Sequence, residues 1–332
     1  MDEVLKQLIS EITPMDIKAA GECYQKLSDL PIRQDGNLSY LAGRIAGIRG
    51  TVHPDMLKKA LILFAADHAV DGGENKTKGK NSKADALEIA TGRAPVNKVA
   101  HEARTGVLLL DMGLEEDIPE SQGVQNLKVM HGSHFWVHGQ AMTTDEMLDA
   151  MFSGIQIGQN LADEHYTAVG LGNVGERALL TAFILTAAFY RDQMDELPGH
   201  LKAGDKLEKL TRLMDQLQLD WHDPLDLLCR AGSPDIAAMT GFILAAAQRH
   251  LLIVFDNAVT GAAVLLAEAL CQEVADYVCP SAKYNEPVHQ MQMKKLQLKP
   301  FVDAGSISDQ GMGSVIGLTL LDAAVDMMNE QL

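Results

Sequence analysis

Hydrophobic positions along the chain fall into two alternating kinds of segment. The first are short apolar runs: "ALILFAADHAV" (60–70), "GVLLLDMGL" (106–114), "LKVMHG" (127–132), "YTAVGLGNVG" (166–175) and "HLLIVFDNAV" (250–259). Each is followed by Asp, His, Asn or Gly. Between several of them, apolar residues recur at helical spacing, over 83–103, 144–163, 176–192, 205–217, 234–248 and 259–274. Continuous apolar strands alternating with helices predict an α/β fold, a mostly parallel sheet covered by helices on both faces.

The two ends read differently. "TPMDIKAAGECYQKL" places Thr13 as an N-cap, Pro14 at the first helical position and Asp16 in the first turn. "NLSYLAGRIAGI", "NEPVHQMQMKKLQLKPF" and the last twenty residues are also helical in pattern. The expectation is a small helical lobe from 1–50 and 285–332 beside a large α/β domain over 51–284, in a single structural unit. Thr143 and Glu146 stand at capping-box spacing before the 144–163 helix. "GGENKTKGKNSK" (72–83) reads as a mobile loop after the first strand. There is no clear internal repeat.

In a parallel sheet of this kind, ligands sit beyond the carboxyl ends of the strands. The polar residues at those ends then gather on one rim: Asp67 and His68, Asp111, Asn173, and Asp256 with Asn257.

Composition narrows the possible partners. Of 332 residues, 47% are apolar and the net charge is −17, which argues against a broad nucleic-acid or anionic-membrane face but not against a local anion pocket. "MDEVLKQLIS" lacks the layout of a signal peptide, and no apolar stretch is long enough to span a bilayer. Cys23, Cys229, Cys271 and Cys279 are scattered without a CxxC pair, which points to buried free thiols and a cytoplasmic location.

"GLGNVG" (170–175) matches GxGxxG between a strand and a helix. A dinucleotide site requires a second strand soon after, and "RDQMDELPGHLKAGDKLEKL" contains none. Two readings remain: backbone that lets a phosphate approach a helix start, or a tight turn that binds nothing. His131, His134 and His138 in "HGSHFWVH" lack a familiar zinc spacing and read as surface or packing residues; no metal is expected. Asp67 and His68 in "ADHAV" fit an acid–base pair or a strand-end cap. Lys206, near a helix start, fits an anion contact or a solvated charge. "SDQGMGSVIG" (308–317) puts Gly311 and Gly313 around a turn into the last helix, with the neutral amide Gln310 at its tip.

These pieces, in their order, resemble the nicotinate-nucleotide:dimethylbenzimidazole phosphoribosyltransferase (CobT) family. The likeness runs through "LAGRIAGI", "ADHAV", "APVNKVA", "LLLDMGL", "QAMTTDE", "VGLGNVGE", "GSPDIAAMTGFILAAA", "IVFDN" and "SDQGMGSVIGLTLLDAAVDMM". The resemblance implies a Rossmann-like three-layer fold with a small lobe from the chain ends. It also implies a dimer that displaces nicotinate from nicotinate mononucleotide and joins an incoming base to the ribose phosphate. No cofactor beyond that substrate is implied. Carried over, the substrate- and phosphate-binding candidates are Asp67, His68, Gly170, Gly172, Asn173, Gly175, Lys206, Asp256, Gly311 and Gly313.

The departures are chemical. Family members read close to "GEGTG", with Glu as catalytic base, where this chain has "DQGMG" and Gln310. Where they read "GxGExGxxNTT", this chain has Asn173 for the Glu and Ala178, Leu179 and Leu180 for the Asn and two hydroxyls. The family's "KPPGSLGRLE" is reduced to fragments around "LPIRQDGNLS". An amide in place of the base forfeits roughly 10²–10⁴ in rate at that step. The resulting expectation is the second, ArsB-type subunit of heteromeric members that use phenol or p-cresol, partnered by a paralogous catalytic subunit, with a homodimer as the fallback. Two other readings stand beside it. One is an enzyme active alone, with a water held between Gln310 and Asp67 or Asp309. The other is a nucleotide-binding sensor.

Overall fold

The computed structural model describes residues 2–29, 36–69, 81–119, 123–135, 139–202, 205–306 and 310–331. Its strands are β1 (Lys59–Ala66), β2 (Thr105–Gly113), β3 (Gln125–Asn126), β4 (Ala168–Val174), β5 (Leu252–Phe255), β6 (Val278–Pro280), β7 (Ala282–Tyr284) and β8 (Val302–Gly305). The helices are α1 (Glu3–Ser10), α2 (Ile17–Ser28), α3 (Asn37–Arg49), α4 (Ser82–Ala90), α5 (Pro95–Glu102), α6 (Thr144–Asp163) and α7 (Ala178–Ala188). They continue with α8 (Gly199–Lys202), α9 (Lys206–Gln216), α10 (Pro224–Ala231), α11 (Pro234–Gln248), α12 (Ala258–Leu270), α13 (Pro287–Leu296) and α14 (Met312–Gln331).

Six strands form one sheet in the order β3-β2-β1-β4-β5-β6, and the paired neighbours are parallel. Residues alternate between faces along each strand. Ile62 and Phe64 of β1 therefore enter one core with α6 and α11, where Phe64 meets Phe242 edge-on at 5.8 Å. Leu61, Leu63 and Ala65 enter a second core with residues of α4, α5 and the start of α14. All eight residues of β1 are buried, which is why the strand reads as an unbroken apolar run. α14 lies against α3 and also against β4 and β5, while α1 packs on α11. Lys59 at the foot of β1 pairs with Asp322 of α14 and donates to the Ala103 carbonyl at 2.6 Å.

Several elements differ from the sequence expectation. The 127–132 run is a turn after the two-residue β3, with Leu127 and Val129 donating to the carbonyls of Asp111 and Met112. The 83–103 helix is two helices, the second beginning at Pro95, which has no N–H for a continuous helix. α2 is capped by Asp16, whose carboxylate accepts from Lys18 and Ala19, and not by Thr13. Thr13 instead offers its carbonyl to the Tyr277 hydroxyl at 2.7 Å. The capping box at Thr143 and Glu146 is present. Residues 72–80 of the expected mobile loop lie outside the described residues, and Asn81 caps α4. The four cysteines are buried and free. Among the described residues, no helix is long and apolar enough to cross a membrane.

Candidate functional site

A cavity of about 260 Å³ opens above the carboxyl ends of β4 and β5. Its polar lining includes Asn173, Glu176, Arg177, Asn257, Glu286 and Gln310. These residues come from the end of β4, the turn into α7, and the starts of α12, α13 and α14.

Helix starts shape the walls. Asn257 caps α12, its Oδ1 accepting the N–H groups of Val259 and Thr260 at 2.9 and 3.0 Å. That fixes its Nδ2 as donor to Asn173 Oδ1 at 2.9 Å. Asn173 is a residue only 8% exposed, and its Nδ2 makes no hydrogen bond among the described residues. Glu286 caps α13, its two oxygens accepting from Val288 and His289 at 2.9 and 2.7 Å. Asp256 caps α14, accepting from Gly313 and Ser314 at 3.1 and 3.3 Å. α7 differs, because its start carries no side-chain cap.

Backbone geometry singles out two cavity residues. Among the described non-glycine residues with positive φ, Arg104, His165, Gln218, His250 and Gln297 follow helix ends. That is the usual place for a left-handed residue. Arg177 (φ 64°) and Gln310 (φ 68°) instead precede helices, and both line the cavity. Gln310 is thereby held at the turn into α14. The Arg177 guanidinium turns away from a free role, donating to Glu115 at 2.9 Å with only 6% of the side chain exposed.

The other candidates lie beneath or beside the cavity. The Asp67 carboxylate accepts from the Ser82 hydroxyl and from the N–H groups of Glu115 and Glu176, at 2.9 and 3.1 Å for the latter two. It ties three strand-end loops together and is not among the lining residues. His68 is fully buried between Thr181, 2.7 Å from Nδ1, and Asp235, 3.2 Å from Nε2. Asp111 accepts from Gly113 and Leu114, and burial raises its pKa.

The glycines are close-approach points. A Cβ on Gly175 would stand 1.7 Å from the Ala66 carbonyl oxygen, and one on Gly172 would stand 2.8 Å from the Gly311 nitrogen. A Cβ on Gly170 would press on Ser314 at 3.0 Å, and one on Gly313 would meet the Tyr284 hydroxyl at 2.3 Å. Gly311 combines φ +76° with a seat against Leu61. Gly170 and Gly172 lie within β4 and not in a turn, and of the 170–175 glycines only Gly175, just past the strand end, lines the cavity, together with Asn173 and Val174. Lys206 begins α9; its side chain, Asp309 and His138 lie outside the described residues. His131 contacts the Glu115 carbonyl at 3.2 Å, and His134 lies 3.4 Å from Glu146. Among the described residues no three His, Cys, Asp or Glu gather as a metal site.

Sequence reasoning missed Asp85, Glu176, Arg177 and Glu286 as cavity residues. Glu286 before Pro287 is a legible helix-start signal. Nothing local in the sequence places that start beside Asn173.

Beside the cavity lies an apolar groove of about 500 Å³ that includes Leu179, Leu180, Phe183, Pro287 and Met291. The two share Arg177, Leu179 and Glu286. Leu179 and Leu180 are 50% and 42% exposed.

Fold and cavity together define a three-layer α/β protein with a polar site beyond the strand ends. A phosphoribosyltransferase family model, the one abbreviated DBI_PRT, matches residues 12–332, and the chain belongs to that family. It is 26% identical to a nicotinate-nucleotide–dimethylbenzimidazole phosphoribosyltransferase of Geobacter metallireducens, over 98% of this chain and 95% of the relative. It is 28% identical to the enzyme of that name from Chloroflexus aggregans, over 98% and 95%. The crystal structure of the corresponding Thermus thermophilus protein superposes with a TM-score of 0.84 at 25% identity, covering 96% of this chain and 97% of that one.

Proposed function

We propose that this chain is a subunit of a nicotinate mononucleotide-dependent phosphoribosyltransferase that activates a phenolic lower-ligand base for cobamide synthesis. In this reading it is non-catalytic or weakly catalytic and supports a paralogous catalytic subunit in the cytoplasm. The observation that carries the reading is Gln310. It lines the cavity at the turn into α14, where the family resemblance puts the proton-accepting Glu. An amide takes no proton at neutral pH, so the hydroxyl of an incoming phenol has no base there. The glycine and carboxylate frame around it is that of a site-bearing fold, which suits a chain retained for assembly. The test is turnover of nicotinate mononucleotide with phenol by the purified chain alone and with a paralogue carrying the Glu. Activity only in the mixture is expected; robust turnover by this chain alone overturns the reading.

A second reading, independent activity with an altered base, is favoured by Glu176. Its carboxylate lines the same cavity and makes no hydrogen bond or ion pair among the described residues. Glu286 is less suited, because both its oxygens are engaged by helix amides. Loss of all activity in Glu176→Gln, with activity intact in Gln310→Ala, would favour this second reading.

A further inference from the structure

We propose that Asn257 sets the specificity of the cavity at one remove: by fixing the Asn173 amide it makes the end of β4 a hydrogen-bond donor, so the incoming ring is taken by an acceptor atom. The inference rests on the proposed function for one thing, that the ligand is an aromatic base or phenol.

The chain of hydrogen bonds has one sense. Asn257 is the N-cap of α12, and its Oδ1 accepts the N–H groups of Val259 and Thr260 at 2.9 and 3.0 Å. A helix start offers donors, so the oxygen of the cap must face it. The Nδ2 of Asn257 is then turned away from the helix and meets Asn173 at 2.9 Å. Two Nδ2 groups cannot pair, so Asn173 answers with Oδ1. Its Nδ2 is what remains for the cavity that Asn173 lines. Backbone amides of α12 thus decide which end of a side-chain amide on β4 the ligand meets.

Burial gives that choice its weight. Asn173 is only 8% exposed, and its Nδ2 makes no hydrogen bond among the described residues. A ligand N–H placed against it leaves two donors facing each other away from bulk water. A ring-nitrogen lone pair or a phenolic oxygen satisfies it instead. Val174, Ala178, Leu179, Ala258 and Val259 line the same cavity and give a ring its apolar contact. An ionised Glu at position 173, as in the resembling family, would present acceptors only.

The test is calorimetry on the full chain with two uncharged bicycles of similar shape. The ring nitrogen of 1-methylbenzimidazole only accepts, and the N–H of indole only donates. The parent is expected to bind 1-methylbenzimidazole about tenfold more tightly than indole. Asn257→Asp keeps the cap, since Asp serves there as well as Asn, but puts a second acceptor in place of the donor. The Asn173 amide then turns to donate to it and shows Oδ1 to the cavity. The ratio of the two affinities should move towards indole by about tenfold. Other acceptors on the lining, such as Glu176, are common to both proteins and cancel in that comparison. Asn173→Leu, which keeps the shape and has no amide, should lose the preference. An unchanged ratio in either variant, or no binding of either ring by the parent, overturns the inference. These measurements read binding without turnover, which keeps them apart from the proposed function. An indifferent ratio sinks the specificity and leaves the non-catalytic subunit standing; turnover by the chain alone sinks the latter and leaves the ratio as it is.

Discussion

Asp256 Oδ2 accepts the backbone N–H of Gly313 at 3.1 Å, so the end of β5 caps the helix that follows Gln310. The same oxygen takes the Ser314 N–H at 3.3 Å. Gly313 must be a glycine for this, because a Cβ would stand 2.8 Å from Asp256 Cβ. The position of Gln310 is therefore inherited from a strand-end carboxylate far earlier in the chain.

Asp256→Ala removes that cap. N-cap losses cost about 0.5–2 kcal/mol, and this one, being buried, should fall in the upper half of the range. Asp256→Asn keeps an acceptor and should lose less. Urea denaturation measures both. Equal stability of Asp256→Ala and the parent would show that the contact contributes nothing.

Gly175→Ala tests the role of the glycine turn. Its Cβ would collide with the Ala66 backbone oxygen, which cannot swing aside as a side chain does. Destabilisation of more than about 3 kcal/mol, or failure to accumulate folded protein, is expected. Gly170→Ala, whose Cβ meets a serine Cβ at 3.0 Å and a flexible leucine, should be milder. Similar losses at the two positions would count against this packing account.

His289 links folding to pH. It is fully buried beside Tyr284 and Phe255, with the Ala282 carbonyl 3.2 Å from Nε2. Burial lowers its pKa from 6.5 to about 4. The folded state therefore binds fewer protons than the unfolded chain between these values. The neutral imidazole's full contribution is present above about pH 6.5 and is lost as pH falls towards 4. The shift corresponds to about 3 kcal/mol. Many carboxylates titrate in the same range, so the informative quantity is a difference. Stability of His289→Gln should fall less steeply than the parent's between pH 6.5 and 4. Identical slopes would remove His289 as a cause.

The sheet was legible because burial on both faces leaves unbroken apolar runs, as in Ala60–Ala66 and Leu252–Phe255. β6, only Val278–Pro280, is too short to stand out, and its place comes from pairing with β5. "LKVMHG" misled because its apolar residues pack against the core from a turn. The rim of strand-end polar residues was readable as a set, but their roles were not. Asp67, Asp111 and Asp256 spend their oxygens on loop and helix amides. Glu286 meets Asn173 only through the tertiary fold, so no local spacing announces it, whereas Glu176 follows Asn173 in the same strand-end segment.

Gln310→Glu places a carboxylate at the turn into α14. If the amide were the sole defect, a general base there would bring turnover up by roughly 10²–10⁴. The cavity argues otherwise. Glu176 already lines it, and a further carboxylate adds repulsion against a phosphate. Leu179 and Leu180 at the start of α7 offer no donor to the ligand. Gln310→Glu alone should therefore leave the isolated chain inactive with nicotinate mononucleotide and phenol. Combining it with Leu179→Thr and Leu180→Thr supplies two hydroxyls at an uncapped helix start, each hydrogen bond to a charged group being worth about 1.5–3 kcal/mol. Both leucines are substantially exposed, so the exchanges should be tolerated by the fold. Measurable product from the triple variant, quantified by chromatography, is the expected outcome. Full activity from Gln310→Glu by itself would mean that the start of α7 needs no hydroxyls to hold the substrate.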